Sequence, residues 1–200
     1  MAVMEIRPVG SSALLIEVDD PLAWFAALDA ERAAGRLAVT DIVPGARTVL
    51  LDGVPSPASL AASLRSWPTP SFARFYGDKL AIPVVFDGPD LAAVAEMTGS
   101  SVEVLVRTLT ETTLTVAFGG FAPGFAYLSG LPWTIPRRES PRPRVPAGSV
   151  ALAAEYAGIY PTASPGGWQL IGHTDTALFD IDRDPPALLT PGRTVRLAVA

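Results

Sequence analysis

The one histidine of this 200-residue chain, His173, is the side chain best suited to moving a proton near neutral pH. It could act as a general base, with Asp175 close enough in sequence to orient its ring. The plainer reading is an exposed or structural imidazole, and both stand at this point. Any Ser-His-Asp arrangement must use His173, and a histidine-rich metal centre is beyond the reach of this chain alone. Cysteine is absent, which removes thiolate nucleophiles, thiolate ligands and disulfides. The patterns G-x-x-x-x-G-K-[ST] and G-x-G-x-x-G do not occur, so neither a metal nor a nucleotide site is expected on this chain.

Three stretches hold the other chemically capable residues. Residues 136–149 carry Arg137, Arg138, Arg142 and Arg144 among several prolines, in a chain of net charge −5. Proline keeps such a path extended, and splayed guanidinium forks bind carboxylate or phosphate in pairs of hydrogen bonds. The alternative is a solvated loop whose arginines pair with nearby acids. Residues 158–174 gather Tyr160, Ser164, Trp168, Gln169 and His173. Strand alternation over that stretch places Trp168 and Leu170 on one face, Gln169 and Ile171 on the other. Residues 119–128 are glycine-rich with Phe121, Phe125 and Tyr127. These rings either line a pocket or anchor a partner, or they fill a core beneath a tight turn. Trp133 lies a few residues on, in a stretch too aromatic for disorder.

The elements that must position these residues fall into two textures. Residues 4–9 and 13–18 suggest a hairpin, and Asp20-Pro21 opens a helix that Gly35 stops. Two strands follow, around Asp41 and over residues 48–51, then a second helix behind Ser56-Pro57. That order suits a small two-layer α+β domain of ferredoxin-like type, assigned to residues 1–77. Beyond it, residues 80–86 read as a strand, Asp90 as the cap of a short helix, and Ser100 with Glu103 as a capping box for the next. Short strands are expected over 112–118, 150–153, 158–160, 168–171, 177–181 and 194–199. Many short strands with frequent turns argue for a barrel or sandwich over residues 78–200.

Composition narrows the class. Hydrophobic residues are 49% and charged residues 18%, which suits a folded globular chain. Acidic residues are scattered and no basic stripe runs along a segment, so neither nucleic acid nor an anionic membrane surface is expected as a partner. The N-terminal residues lack the basic start and apolar stretch of a signal peptide, and no run of 18 apolar residues occurs, so a cytoplasmic location is expected.

The same stretches carry a family resemblance. Gly120-Phe121-Ala122-Pro123-Gly124-Phe125-Ala126-Tyr127-Leu128 is similar to a G-F-x-P-G-F-x-Y-L motif. Pro141-Arg142-Pro143-Arg144-Val145-Pro146-Ala147-Gly148-Ser149-Val150 resembles P-R-x-x-V-P-A-G-S-V. Gly158-Ile159-Tyr160-Pro161 through Ser164-Pro165-Gly166-Gly167-Trp168 resembles G-I-Y-P-x-x-S-P-G-G-W. Asp41-Ile42-Val43-Pro44 fits a D-x-V-P pattern upstream. Together these resemble the family of the B component of 5-oxoprolinase and of allophanate hydrolase subunit 1, which includes a sporulation histidine-kinase inhibitor.

The resemblance implies an N-terminal α+β domain and a C-terminal cyclophilin-like β-barrel. It also implies pairing with a homologous barrel protein, of the type of the 5-oxoprolinase C component or allophanate hydrolase subunit 2. Together with the A component, the implied hydrolase opens 5-oxo-L-proline to L-glutamate at the expense of ATP, used on another subunit. Such a chain binds no cofactor by itself. The alternatives within the family are inhibition of a sensor histidine kinase and an allophanate or urea-amidolyase role. Arg142, Arg144, Ser149, Tyr160, Ser164 and Gln169 are then the expected substrate-binding residues, and His173 the candidate catalytic one. Phe121, Phe125, Tyr127, Trp133 and Trp168 are the expected interface or pocket walls. The chain departs from the family at His173, where Arg is usual, and at Leu109, where His is frequent. It departs again at Ala154-Glu155-Tyr156-Ala157, in place of G-G-Q-T.

Overall fold

A computed structural model describes residues 4–71 and 80–200. The chain divides into two compact units, Met1–Arg74 and Phe75–Ala200. The expected domain boundary between residues 77 and 78 lies outside the described residues.

The first unit runs β1 (Glu5–Val9), β2 (Ala13–Glu17), α1 (Pro21–Ala33), β3 (Asp41–Pro44), β4 (Thr48–Asp52) and α2 (Pro57–Leu64). Asp20 caps α1 by accepting from Ala23 N at 3.0 Å, and Pro21 fills the first helical position, where a missing N–H costs nothing. The sheet is antiparallel with order β1-β2-β4-β3. This is the ferredoxin-like β-α-β-β-α-β arrangement with its final strand carried to the front. Alternation along β2 and β4 turns Leu14, Ile16, Val49 and Leu51 inward against Trp24, Leu28 and Leu64. Each such fully buried aliphatic side chain contributes roughly 1.5–3 kcal/mol.

The second unit begins with β5 (Leu80–Val84) and two short helices, α3 (Leu91–Met97) and α4 (Val102–Glu111). Its remaining strands are β6 (Leu114–Gly119), β7 (Ala126–Ser129), β8 (Arg142–Val145), β9 (Ser149–Ala153), β10 (Tyr156–Ile159), β11 (Ser164–Gly166), β12 (Gln169–His173) and β13 (Thr194–Val199). Seven strands form one sheet of order β12-β9-β10-β7-β6-β13-β5, and β8 pairs with β11 in a separate ribbon. The two ends of the seven-stranded sheet meet. Val85 N donates to His173 O, and His173 N to Val85 O, each at 2.9 Å. That bridge turns the sheet into a nearly closed barrel.

Period-two alternation gives the barrel two cores. Val150 and Leu152 of β9 and Ile171 of β12 point into the interior with Leu105 and Leu109 of α4. Ala151, Ala153, Trp168 and Leu170 face a second cluster with Phe125 and Tyr160. Trp168 and Leu170 thus share one face and Ile171 takes the other, as the alternation requires.

Two local expectations need correction. The helix expected from Ser100 is capped by Ser101, whose Oγ accepts from Val104 N at 3.3 Å, while the Ser100 hydroxyl pairs with Thr98. Residues 177–181 form no strand. Phe179 makes a single bridge to Ala187, and Pro185 and Pro186 beyond it lack the N–H groups a ladder needs. The stretch 119–148 contains the short strands β7 and β8, which its proline and glycine content concealed. Among the described residues no helix is long and apolar enough to cross a membrane.

Candidate functional site

The segment joining β5 to α3 crosses directly over β12. Glycines at both surfaces permit this: a Cβ on Gly88 would fall on the Leu170–Gly172 backbone, and one on Gly172 on the Val85 carbonyl. The crossing delivers Asp90, only 6% exposed, beside the start of β12. Asp90 N donates to Leu170 O at 3.0 Å, and Leu170 N donates to Asp90 Oδ2 at 2.7 Å. The other carboxylate oxygen accepts from Arg142 Nη2 at 2.8 Å and Arg138 Nη1 at 3.1 Å.

Asp90 occupies the capping position of α3, as expected, but its side chain makes no cap bond. Charge-assisted bonds from two guanidinium groups are stronger than a cap and take the carboxylate instead. Burial alone would push this carboxyl up. The hydrogen bonds from Arg142 and Leu170 N, with the charges of Arg142 and Arg138, outweigh burial and hold it below its ordinary value.

The four neighbouring arginines are therefore sorted into two kinds. Arg138 and Arg142 are struts bound to Asp90. Arg137 and Arg144 are exposed and, among the described residues, have no acidic partner. Each free guanidinium opens onto a different cleft beside the β8–β11 ribbon.

The first cleft encloses about 430 Å³ and is lined by Arg142, Arg144, Ser149, Leu170, Gly172 and His173, with the segment around Asp87 as its far wall. His173 Nδ1 lies 2.8 Å from Asp87 Oδ1. The carboxylate beside the ring is thus Asp87, not the expected Asp175. Chain crossing, which sequence distance cannot report, brings it there. With Asp87 accepting from Nδ1–H, Nε2 is left to accept or deliver a proton. Arg144, Ser149 and this imidazole together offer a fork, a hydroxyl and a base to a small anion.

The second cleft is an aromatic cup of about 330 Å³. Phe125 sits at its centre, edge-on to Phe121 at 5.3 Å, Tyr127 at 5.2 Å, and Tyr160 and Trp168 at 5.5 Å each. Arg137 stands on the rim. Burial pushes the Tyr160 hydroxyl above its ordinary value, against a hydrogen bond with the Trp168 backbone and the charge of Arg137. Phe121 is 61% exposed and has a φ of 68°, at the centre of a three-residue turn closed by Ala122 N donating to Gly120 O at 2.8 Å.

The expected site residues thus divide. Arg142, Arg144, Ser149 and His173 meet in one cleft, and Phe121, Phe125, Tyr127, Tyr160 and Trp168 in the other. Neither cleft is lined by Gln169, Ser164 or Trp133. Gln169 is buried and ties β12 to the preceding loop through Nε2 and Pro136 O at 3.0 Å. Ser164 lies on the ribbon with its Oγ buried, and Trp133 packs against the barrel core. Leu109, where the resembling family often has His, is fully buried in that core and faces no cleft. Asp87 and Asp90 were not legible as site residues. The only signal was an aspartate on each side of Gly88-Pro89, which reads as turn and cap.

A permuted ferredoxin-like unit followed by a near-closed barrel, with two clefts beside an arginine-bearing ribbon, is the architecture of carboxyltransferase-type chains. The family model "Carboxyltransferase domain, subdomain C and D" matches residues 4–189, and the chain belongs to that family. The B component of the 5-oxoprolinase of Escherichia coli O157:H7 is 41% identical over 208 residues, which span 94% of this chain and 92% of that one. The crystal structure of TTHA0988 superposes with a TM-score of 0.79 at 33% identity, covering 98% of this chain and 41% of that longer one. The Kluyveromyces lactis urea amidolyase shares the fold at 18% identity, with a TM-score of 0.70 over 98% of this chain and 15% of its own.

Proposed function

We propose that this chain is one subunit of an ATP-dependent 5-oxoprolinase, which opens 5-oxo-L-proline to L-glutamate. It works only in complex, with a homologous barrel partner and a third protein that uses the ATP. The observation that carries this reading is 41% identity to the B component of a 5-oxoprolinase across nearly the full length of both chains.

Opening a lactam requires an activated carbonyl, a placed water and a held ring. ATP supplies activation elsewhere in the complex, by phosphorylating the lactam oxygen. ADP leaves at that step; water then adds to the activated carbon and the ring C–N bond breaks to leave γ-glutamyl phosphate, which a second water hydrolyses to glutamate and phosphate. This chain's share is orientation. Arg144, without an acidic partner among the described residues, clasps the substrate carboxylate as a fork. Ser149 donates to it, and His173, steadied by Asp87, takes or returns a proton at Nε2. Arg142, held by Asp90 through Nη2, stands beside Arg144 in the same cleft wall and supports that clasp.

The test is coexpression of the chain with its genomic neighbours, followed by assay of the purified complex for glutamate released from 5-oxoproline and ATP. Release that requires this chain supports the reading. An intact complex that releases none, yet hydrolyses allophanate or lowers histidine-kinase autophosphorylation, replaces it with one of the two alternatives. A lone chain that turns over 5-oxoproline unaided also sinks it.

A further inference from the structure

We propose that the aromatic cup beside Arg137 is a second ligand site, which takes a planar ring bearing a single carboxylate. The inference goes beyond the reaction assigned above and does not depend on it, since the two clefts share no lining residue.

Three observations converge. The first is charge. Among the described residues, Arg137 carries the only formal charge in the cup lining, and no acid neutralises it. Its neighbour Arg138 is committed to Asp90, and Arg138 N donates to Gly167 O at 2.9 Å. The backbone is thereby pinned just where Arg137 leaves it for the rim. A guanidinium fork facing an uncharged wall selects a monoanion with two coplanar oxygens.

The second is shape and polarity. Four rings meet Phe125 edge to face, and a volume of about 330 Å³ holds a group of one-ring size. Ring walls favour a planar, apolar guest, stacked or edge-on. The Tyr160 hydroxyl is engaged with the Trp168 backbone and stays neutral, so it does not repel an anion.

The third is backbone strain. Phe121 holds a positive φ that costs a non-glycine residue of order 1–3 kcal/mol, while its own ring stays largely in solvent. Burial of that ring does not offset the cost in the free chain. A guest that packs against it would.

The experiment uses the full chain with its tryptophan indoles labelled with nitrogen-15, and benzoate as the probe. The Trp168 signal is assigned by Trp168→Phe. Benzoate is expected to shift that signal saturably, with the signals of Trp24, Trp67 and Trp133 unmoved. Benzamide, the neutral isostere, should bind about tenfold or more weakly, and Arg137→Gln should weaken benzoate by a similar factor while Arg144→Gln leaves it unchanged. Phe121→Ala, at an exposed position, should weaken benzoate and benzamide alike. Equal binding of benzoate and benzamide, insensitivity to Arg137→Gln, or the absence of a saturable Trp168 shift would overturn the assignment. Because the readout needs no turnover, its failure leaves the 5-oxoprolinase reading standing, and the converse also holds.

Discussion

Asp90 and Arg142, 52 residues apart in sequence, are joined by a 2.8 Å charge-assisted hydrogen bond between the β5–α3 crossing and the β8–β11 ribbon. The bond ties Arg142 to the segment before α3 and so holds the strand that also carries Arg144. Arg144 is aimed because Arg142 is anchored.

Asp90→Asn is therefore expected to destabilise the barrel by about 2–3 kcal/mol, at the lower side of the range for breaking a buried ion pair, because both guanidinium groups keep some solvent. The folded carboxyl sits below its ordinary value of 3.8. Its contribution is accordingly complete above that pH and disappears as pH falls through the lowered folded value. Urea unfolding between neutral and acidic pH measures both effects. Wild type should lose its margin over Asp90→Asn in acid, and a margin that grows there would contradict the assignment.

On the proposed function, Arg144→Gln in the assembled complex should raise KM for 5-oxoproline on the order of 10- to 100-fold with a smaller change in kcat, the signature of lost ground-state binding. Arg142→Gln should instead lower thermal stability. Steady-state kinetics and melting curves of the two variants separate a clasp from a strut.

His173→Ala should reduce kcat on the order of 100-fold or more if Nε2 moves the proton, and Asp87→Asn should reproduce part of the loss. Equal activity of the His173→Ala and wild-type complexes would leave the imidazole with no catalytic part.

Ala154 turns the β9–β10 hairpin at a φ of 49°, a conformation that costs a residue with a Cβ roughly 1–2 kcal/mol. Ala154→Gly should stabilise the protein by about 0.5–1 kcal/mol after the added freedom of glycine in the unfolded chain is subtracted. A melting temperature higher by about 1–4 °C is the expected result.

Gly172→Ala would drive a Cβ into the Val85 carbonyl and to 3.1 Å from Phe86 Cα, at the bridge that closes the barrel. A loss of about 1–3 kcal/mol in chemical denaturation is expected.

Much of this architecture was legible in the chain itself, because its signals are local. Asp20-Pro21 marks the start of α1, Gly35 its end, and the short, mostly apolar stretch 194–199 coincides with β13. The motif stretches pointed to the region that forms both clefts. What stayed hidden depends on partners far apart in sequence. Asp90 reads as a cap until Arg138 and Arg142 fold against it, and His173 reads as a neighbour of Asp175 until the crossing segment supplies Asp87. β8 and β11 were concealed for a different reason. Each is three or four residues long and contains proline, so neither alternation nor propensity marks it.

In the barrel order, β13 lies between β6 and β5, and residues 195–199 run parallel to 80–84. On the ribosome, then, β5 and β6 emerge long before the strand that must separate them. Until it arrives, both have open edges, and the barrel cannot take its final form while the nascent chain is still short of those residues. The protein is most exposed to mispairing late in its synthesis, which makes a chain truncated ahead of β13 a candidate for chaperone capture and degradation rather than for partial function.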